Sequence, residues 1–332
     1  MFTNTGLPTI TTVTVTLNSQ RTLDRCLKSI FTQDYPKELL KVLVVDGGSK
    51  DKTIQIAQSY DVQLEYEDTK SPEGAKSVAL EYVQSELVCF LPSDNILPNA
   101  SWLRQMVEPF RDPTIYAAQP WRYAYERSDT ALNRYFSLMG VNDPVPFYLK
   151  VRDRLTWYET SWALGGKVSD ETSYLRIQFT PDDLPTVGDN GFIIRTDVLK
   201  QSLWDRSHFF HIDVNLDLVR KGHTIIAMVK NDILHASGEE FWGYFLRRRK
   251  YLRQFLAQQH NRRYSVVKTN NLFLLFRYVL FSITFVEPLY RSFQGYRRLP
   301  DVAWFLHPLI CVLCTFIYGY TVVEHYYSKR QR

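Results

Sequence analysis

Short apolar runs alternate with amphipathic segments through the first 120 residues. The stretch "TITTVTVTL" is rich in β-branched residues and ends at Asn18-Ser19, which predicts a strand. In "TLDRCLKSIF", Leu23, Cys26, Leu27, Ile30 and Phe31 recur at i, i+3 and i+4, the spacing of a helix with one apolar face. "LLKVLVVD" is a continuous apolar run, as expected of a strand covered on both faces. The turn "GGSKD", the helix "TIQIAQSY", the strand "VQLEY", the helix "GAKSVALEYVQ" and the strand "LVCFL" follow. This alternation predicts an α/β fold, a mostly parallel sheet flanked by helices. Ligands of such sheets collect at the carboxyl ends of the strands. Asn18, Asp46 and Asp94 all fall at such ends, so they are expected to converge on one crevice.

From about residue 121 to 185 the pattern weakens into many aromatics, the amphipathic piece "ALNRYFSLMG" and a Pro-rich stretch. An irregular segment covering one side of the crevice is expected here. Order returns with "GDNGFIIR", a helix from Asp213 to Arg220, a strand "TIIAMV" and the long segment "NDILHASGEEFWGYFLRRRKYLRQF". No internal repeat is evident. After residue 270 the composition shifts. "VAWFLHPLICVLCTFIYGYTVV" carries no formal charge and has the length of a membrane span. "NLFLLFRYVLFSITFVEPLY" is weaker, because Arg277 and Glu287 interrupt it. Two membrane-inserted segments are expected, either a hairpin of spans or an interfacial helix followed by one span. "RRRKYLR" suits a basic amphipathic helix on anionic headgroups, and the tail "KRQR" is basic as well. The chain thus divides into residues 1–120, residues 121–260 and a membrane-associated region, residues 261–332.

Composition narrows this only a little. A net charge of +5 and a pI near 8.8 are mildly basic, in keeping with a membrane surface or a phosphate-rich substrate. No nucleic-acid partner is expected. Four cysteines make no disulfide scaffold: Cys26 and Cys89 sit in apolar patterns, and the Cys311/Cys314 pair lies inside a hydrophobic run, where core or lipid-facing thiols are expected. "MFTNTGLP" lacks the basic start and apolar run of a signal peptide.

The chemistry concentrates in a few motifs. "VTLNSQRTLDRCLKSIFTQDYPKELLKVLVVDGGSKDKT" has an Asn after the first strand, "SIFTQDYP" after the first helix and "VVDGGSKDKT" after the second strand. Together these resemble the opening of inverting family 2 glycosyltransferases, which have the Rossmann-like GT-A fold. The resemblance runs over about residues 8 to 255 and is firmest up to residue 98. It implies that residues 1–120 form the nucleotide-sugar-binding half and residues 121–260 the acceptor-binding, catalytic half. Asp46, at the end of a buried strand, is placed as an acceptor for the imide N–H of uracil, with Thr16 and Asn18 framing the same pocket. Lys76, near the start of its helix, is placed to meet a diphosphate with its charge and the helix dipole. The family often has an Arg-Asn pair here, where this chain has Lys76-Ser77.

Family 2 enzymes usually carry a DxD-like signature for a divalent cation at the position of "LPSDNILPN". Here the first acidic position is Pro92, and Asp94 alone carries charge, with Ser93 or Asn95 able to add a neutral oxygen. His235 in "NDILHASGE" matches the C-terminal histidine that some GT-A enzymes contribute. The expected metal is Mn²⁺ or Mg²⁺ on Asp94 and His235, with Ser93 on the nucleotide. A base is also needed to take the proton of an acceptor hydroxyl. In "FFHIDVNLDLVRKGH", Asp213 is the first choice, while counting back from Gly222 puts His211 in the family's Asp slot. Asp217 reads as a solvated helix residue. Asp189 and Asn190 in "GDNGFIIR" lie where the family positions donor-sugar or acceptor hydroxyls, a tight turn or bulge being the competing account. The Gln-Arg-Trp motif of processive members is absent.

The expectation is a membrane-attached, metal-dependent inverting glycosyltransferase with its catalytic domain on the cytoplasmic face. It would move a sugar from a nucleotide donor, a UDP-sugar, to a lipid or lipid-linked glycan. A polyprenyl-phosphate acceptor and an inactive nucleotide-sugar-binding scaffold subunit are the alternatives.

Overall fold

The computed structural model describes residues 6–68, 71–203, 209–237 and 240–330. In chain order the elements are β1 (Ile10–Thr16), α1 (Leu23–Phe31), β2 (Leu40–Asp46), α2 (Thr53–Gln58), β3 (Gln63–Tyr66), α3 (Pro72–Tyr82), β4 (Leu87–Phe90), β5 (Asn95–Ile96), α4 (Trp102–Val107) and β6 (Ile115–Tyr123). Two helices follow, α5 (Ala131–Met139) and α6 (Pro144–Tyr148), then β7 (Lys167–Asp170), β8 (Tyr174–Gln178), β9 (Phe192–Arg195), α7 (Thr196–Leu199), α8 (His211–Arg220) and β10 (Ile225–His235). The last four helices are α9 (Phe241–Gln258), α10 (Leu272–Thr284), α11 (Val286–Arg298) and α12 (Leu306–Arg330). The chain separates into two compact units, Met1–Ala124 with Trp162–Ser237, and Tyr125–Ser161 with Gly238–Arg332.

The first unit holds every described strand in one sheet of order β3-β2-β1-β4-β9-β6-β10-β8-β7, with β5 paired to β10. The expected parallel arrangement covers β3, β2, β1 and β4, and it returns between β6 and β10. Elsewhere the expectation is corrected: β9 runs antiparallel to both β4 and β6, and β8 and β7 add an antiparallel edge, so the sheet is mixed. The reversal has a simple cause. β9 re-enters between β4 and β6 from the opposite direction, which an open sheet accepts when an antiparallel strand fills the gap between two parallel sets.

The apolar face read from "TLDRCLKSIF" is real. Leu23, Cys26, Leu27 and Ile30 are fully buried, whereas Phe31 is exposed and stacks on Tyr60 at 5.4 Å. They join one core with Ile10, Val44, Cys89, Trp102 and Ile233.

The stretch expected to be irregular contains real elements, which corrects that reading: the end of β6, then α5, α6, β7 and β8. β6 is a central strand despite Pro120, a residue that usually argues against one. β9 bonds only to Ala117 and Ala118, so Pro120 lies beyond that pairing. On the other side Pro120 pairs with Val229, the last residue before β10 breaks register, which resumes at Asp232.

The second unit is helical. Leu132, Tyr135, Phe136, Met139, Tyr244, Phe245, Trp304, Ile310 and Cys314 form its core. All four cysteines are free and buried. The helix Val302–Lys329 is long and apolar enough to cross a bilayer by length and composition. The pair Thr269–Thr284 and Val286–Arg298 passes the same test only as a span bent by 80°. Of the basic tail, Gln331 and Arg332 lie outside the described residues.

Candidate active site

Parallel register fixes where the first group of candidate residues lies. Thr16 and Asp46 end β1 and β2 as direct partners, and β4 ends beside β1 before running into Pro92, Ser93 and Asp94. The three following loops are tied to each other. The Asn18 N–H donates to Ser49 Oγ at 2.8 Å, and Asn18 Oδ1 accepts from the Lys50 N–H at 2.9 Å. Asn18 holds φ at 52°, a left-handed conformation that asparagine tolerates better than most residues. Ser93 donates from its hydroxyl to Ser19 Oγ at 2.8 Å. Asp46 is fully buried, and its carboxylate accepts from the N–H groups of Gly48 (2.8 Å) and Ser49 (2.7 Å) and from the Ser49 hydroxyl. In this conformation the carboxylate holds the turn after β2. Thr16 Oγ1 beside it is buried with no hydrogen-bond partner among the described residues.

The second group forms a part-buried network around the ends of β4, β9 and β10. Lys76, 4% exposed on α3, donates to Asp189 Oδ2 at 2.8 Å. His235, at the end of β10, brings Nε2 to 3.2 Å from Asp94 Oδ2 and stacks on Tyr123 with ring centroids 5.4 Å apart. Asn95 donates to Asp94 Oδ1 at 3.2 Å and to Asn190 Oδ1 at 3.1 Å, and Asn190 donates to the Tyr123 hydroxyl at 3.1 Å. Backbone bonds set these side chains in place: Gly191 N–H to Phe90 O at 2.8 Å, and Ala236 N–H to Asp94 O at 2.8 Å.

The turn carrying Asp189 and Asn190 needs its flanking glycines. Gly188 and Gly191 have φ of 126° and 84°; a Cβ on Gly188 would stand 2.9 Å from His211 Cβ, and one on Gly191 2.7 Å from Ile233 Cδ1. Tight turn and close backbone approach are therefore both present.

Electrostatics follows the geometry. Burial pushes the Asp189 carboxyl up, but the Lys76 ammonium, then His211, outweigh it and hold it below the ordinary carboxylate range. Burial likewise raises Asp94, while His235 more than offsets that and the neighbouring Asp189 works against the offset, so the net direction is down. Lys76→Met should remove the ammonium that stands 2.8 Å from Asp189 Oδ2 and destabilise the fold by about 3 kcal/mol at neutral pH. Because the Asp189 carboxyl is lowered in the fold, the pair's contribution is complete above the unfolded value near 4 and disappears as pH falls through the lower native value. Chemical denaturation of both proteins from pH 7 to pH 2 should therefore show a gap that closes on the acid side.

α8 places the two candidate bases differently. His211 opens the helix, is part-exposed and packs against Gly188, next to Asp189 in the network. Asp213 is 0% exposed. Asp217, read as a solvated helix residue, is corrected to a buried one at 5% exposure, because α8 is buried continuously from Asp213 to Val219.

One carboxylate and one imidazole 3.2 Å apart suit adjacent ligands of a single divalent ion. Among the described residues no group of three or more His, Cys, Asp or Glu could hold a metal. The donors present therefore fit a cation that completes its shell with ligand oxygens and water. Tyr123 and the Lys76–Asp189 pair were missed in the sequence; nothing in "WRYAYER" marks Tyr123, and the pair spans 113 residues.

The sequence model described as "Glycosyl transferase family 2" matches residues 11–200. The glycosyltransferase AglE of Haloferax volcanii is 27% identical over 142 residues, 41% of this chain and 46% of that protein. A Methanococcus voltae protein named dolichyl N-acetyl-alpha-D-glucosaminyl phosphate 3-beta-D-2,3-diacetamido-2,3-dideoxy-beta-D-glucuronosyltransferase is 34% identical over 61 residues, 18% of this chain and 19% of that one. The matched stretches span less than half the length of these two relatives. The crystal structure of S. aureus TarS 1-349 aligns with 96% of this chain and 91% of its own, at 17% identity and a TM-score of 0.49.

Proposed function

We propose, since the chain belongs to glycosyl transferase family 2, that it transfers one sugar, with inversion, from a UDP-sugar to a hydroxyl on a lipid or lipid-linked glycan at the cytoplasmic face of a membrane. The observation that carries this reading is the part-buried network of Lys76, Asp94, Asp189 and His235 at the carboxyl edge of β4, where sheets of this kind bind ligands. The lipid-linked acceptor draws support from the name of the Methanococcus voltae relative.

Each group then has a task. Asp94 and His235 would hold Mn²⁺ or Mg²⁺, whose charge stabilises the departing nucleoside diphosphate when it is bound. The loops after β1 and β2, locked through Asn18, Ser49 and Asp46, form the face for the nucleoside, with Thr16 and Ser93 beside it. In this arrangement Asp46 shapes the pocket through its turn, and turning the Ser49 hydroxyl away would release one carboxylate oxygen toward a uracil N–H. Lys76 fixes Asp189, which with Asn190 orients hydroxyls of the donor sugar. His211 accepts the proton of the acceptor hydroxyl on an imidazole nitrogen as the oxygen attacks the anomeric carbon. Asp213, sealed in the helix, keeps this role only if α8 opens.

With Mn²⁺ present, the purified protein should bind UDP more tightly than ADP by calorimetry, and one member of a panel of nucleotide sugars should be slowly hydrolysed. Equal affinity for the two nucleotides would remove the uridine assignment. Sugar release from no donor would leave the scaffold reading in its place.

A further inference from the structure

We propose that the bent pair α10–α11 seats the helical unit in one leaflet of an anionic bilayer, with a lipid phosphate in a groove on α11, while α12 packs along α9 instead of crossing the membrane. The inference deepens the membrane reading above and rests on it.

α12 is apolar enough to span, but its neighbours are not. The Tyr244 hydroxyl lies 3.5 Å from Cys314 Sγ. Asp143 joins Arg248 (3.6 Å) and the Tyr318 hydroxyl (2.5 Å). The Arg249 guanidinium lies 5.0 Å from the Tyr320 ring, and Arg249 and Arg253 both bind Glu324, at 3.0 and 2.6 Å. Residue numbers on α9 and α12 rise together through these pairs, so the helices run parallel and side by side. At its start α12 is sunk in the unit's own core, where His307 is fully buried between the hydroxyls of Tyr135 (2.9 Å) and Tyr148 (3.1 Å). A spanning α12 would carry Arg248, Arg249 and Arg253 into hydrocarbon or break every one of these contacts, and charged groups at membrane depth are strongly disfavoured.

α12 exposes Phe316, Tyr320, Val323 and Tyr327, and exposed apolar side chains lie on α10 and α11 as well. α10 presents Leu272, Phe273, Phe276, Leu280 and Ile283 to solvent. Its 13 residues reach about 20 Å, short of a hydrocarbon core of about 30 Å. Arg277, near its middle, limits how deeply it can sink. The chain then turns by 80° at Phe285, which sits at φ 60°. α11 continues with Val286, Leu289, Tyr290, Phe293 and Tyr296 exposed, while Glu287 and Arg291 pair at 2.6 Å. Such a helix lies in the interface plane.

α11 has a groove of about 540 Å³ lined by Tyr158, Tyr290, Phe293, Gln294, Arg297 and Arg298. The two exposed arginines Arg297 and Arg298 at the end of an apolar face complement an anionic lipid and not a second copy of the same basic face.

The test uses the full chain added to sealed vesicles of phosphatidylcholine alone or with phosphatidylglycerol. Binding should rise with phosphatidylglycerol, and Arg297→Glu/Arg298→Glu should weaken it by about tenfold or more. The native cysteines are buried, so Ser328→Cys reports the end of α12; in bound protein an impermeant maleimide should label it from outside. Labelling only after the vesicles are opened would mean that α12 crosses, and would overturn the proposal. So would equal binding to both vesicle types, or a chain that stays unbound as a dimer in sedimentation velocity. Donor hydrolysis measured in the same samples reads the active-site proposal separately, and the arginine variants should retain it.

Discussion

Asp94→Ala should lower sugar transfer on the order of 10³-fold, equivalent to about 4 kcal/mol of transition-state stabilisation. The side chain is a carboxylate placed to reach a cation beside His235, and its oxygen already stands 3.2 Å from the imidazole. With Pro92 in place of a second acid, no neighbouring carboxylate in "LPSDN" can substitute. The loss should appear in two readouts. UDP affinity measured by calorimetry should fall in the presence of Mn²⁺ and change little in its absence, and the Mn²⁺ concentration needed for half-maximal turnover should rise. Asp94→Asn keeps the shape and the bond from Asn95, so it separates lost charge from a disturbed loop. Transfer by Asp94→Ala at the parent rate and with the parent Mn²⁺ response would remove Asp94 and His235 as the metal site.

How far the sequence carried this picture depended on distance along the chain. The parallel half was legible because "VLVVD" and "LVCF" are continuous apolar runs, and in the structure both are buried throughout. β6 was not legible, since Gln119 and Pro120 interrupt its pattern, although both stay in register with Met228 and Val229 of β10. β7 is exposed along its whole length and so carries no apolar signal. Among the site residues, Asp94 and His235 stand at strand ends and could be found by position. The Lys76–Asp189 and Asn95–Asn190 contacts depend on β9 entering beside β4, a topological fact with no local signature. Hydropathy found the length of the last helix but could not show that the arginines of α9 lie along it.

His211→Ala should lower transfer by roughly 10²- to 10⁴-fold, the range for loss of a positioned general base, and leave UDP binding with Mn²⁺ unchanged. The argument is positional. His211 opens α8, is part-exposed and abuts the Asp189 turn, whereas Asp213 two residues on is sealed from solvent. His211→Asp should recover part of the rate, because a carboxylate can serve the same proton transfer from the same helix start. Asp213→Asn, by contrast, should lower thermal stability and leave kcat of the folded enzyme near the parent value. The reverse pattern, with kcat lost in Asp213→Asn and kept in His211→Ala, would make Asp213 the base and require α8 to open during turnover. Parent rates in both variants would have a chemical explanation of their own: an acceptor that is already ionised needs no base, so the substrate would be a lipid phosphate and not a hydroxyl.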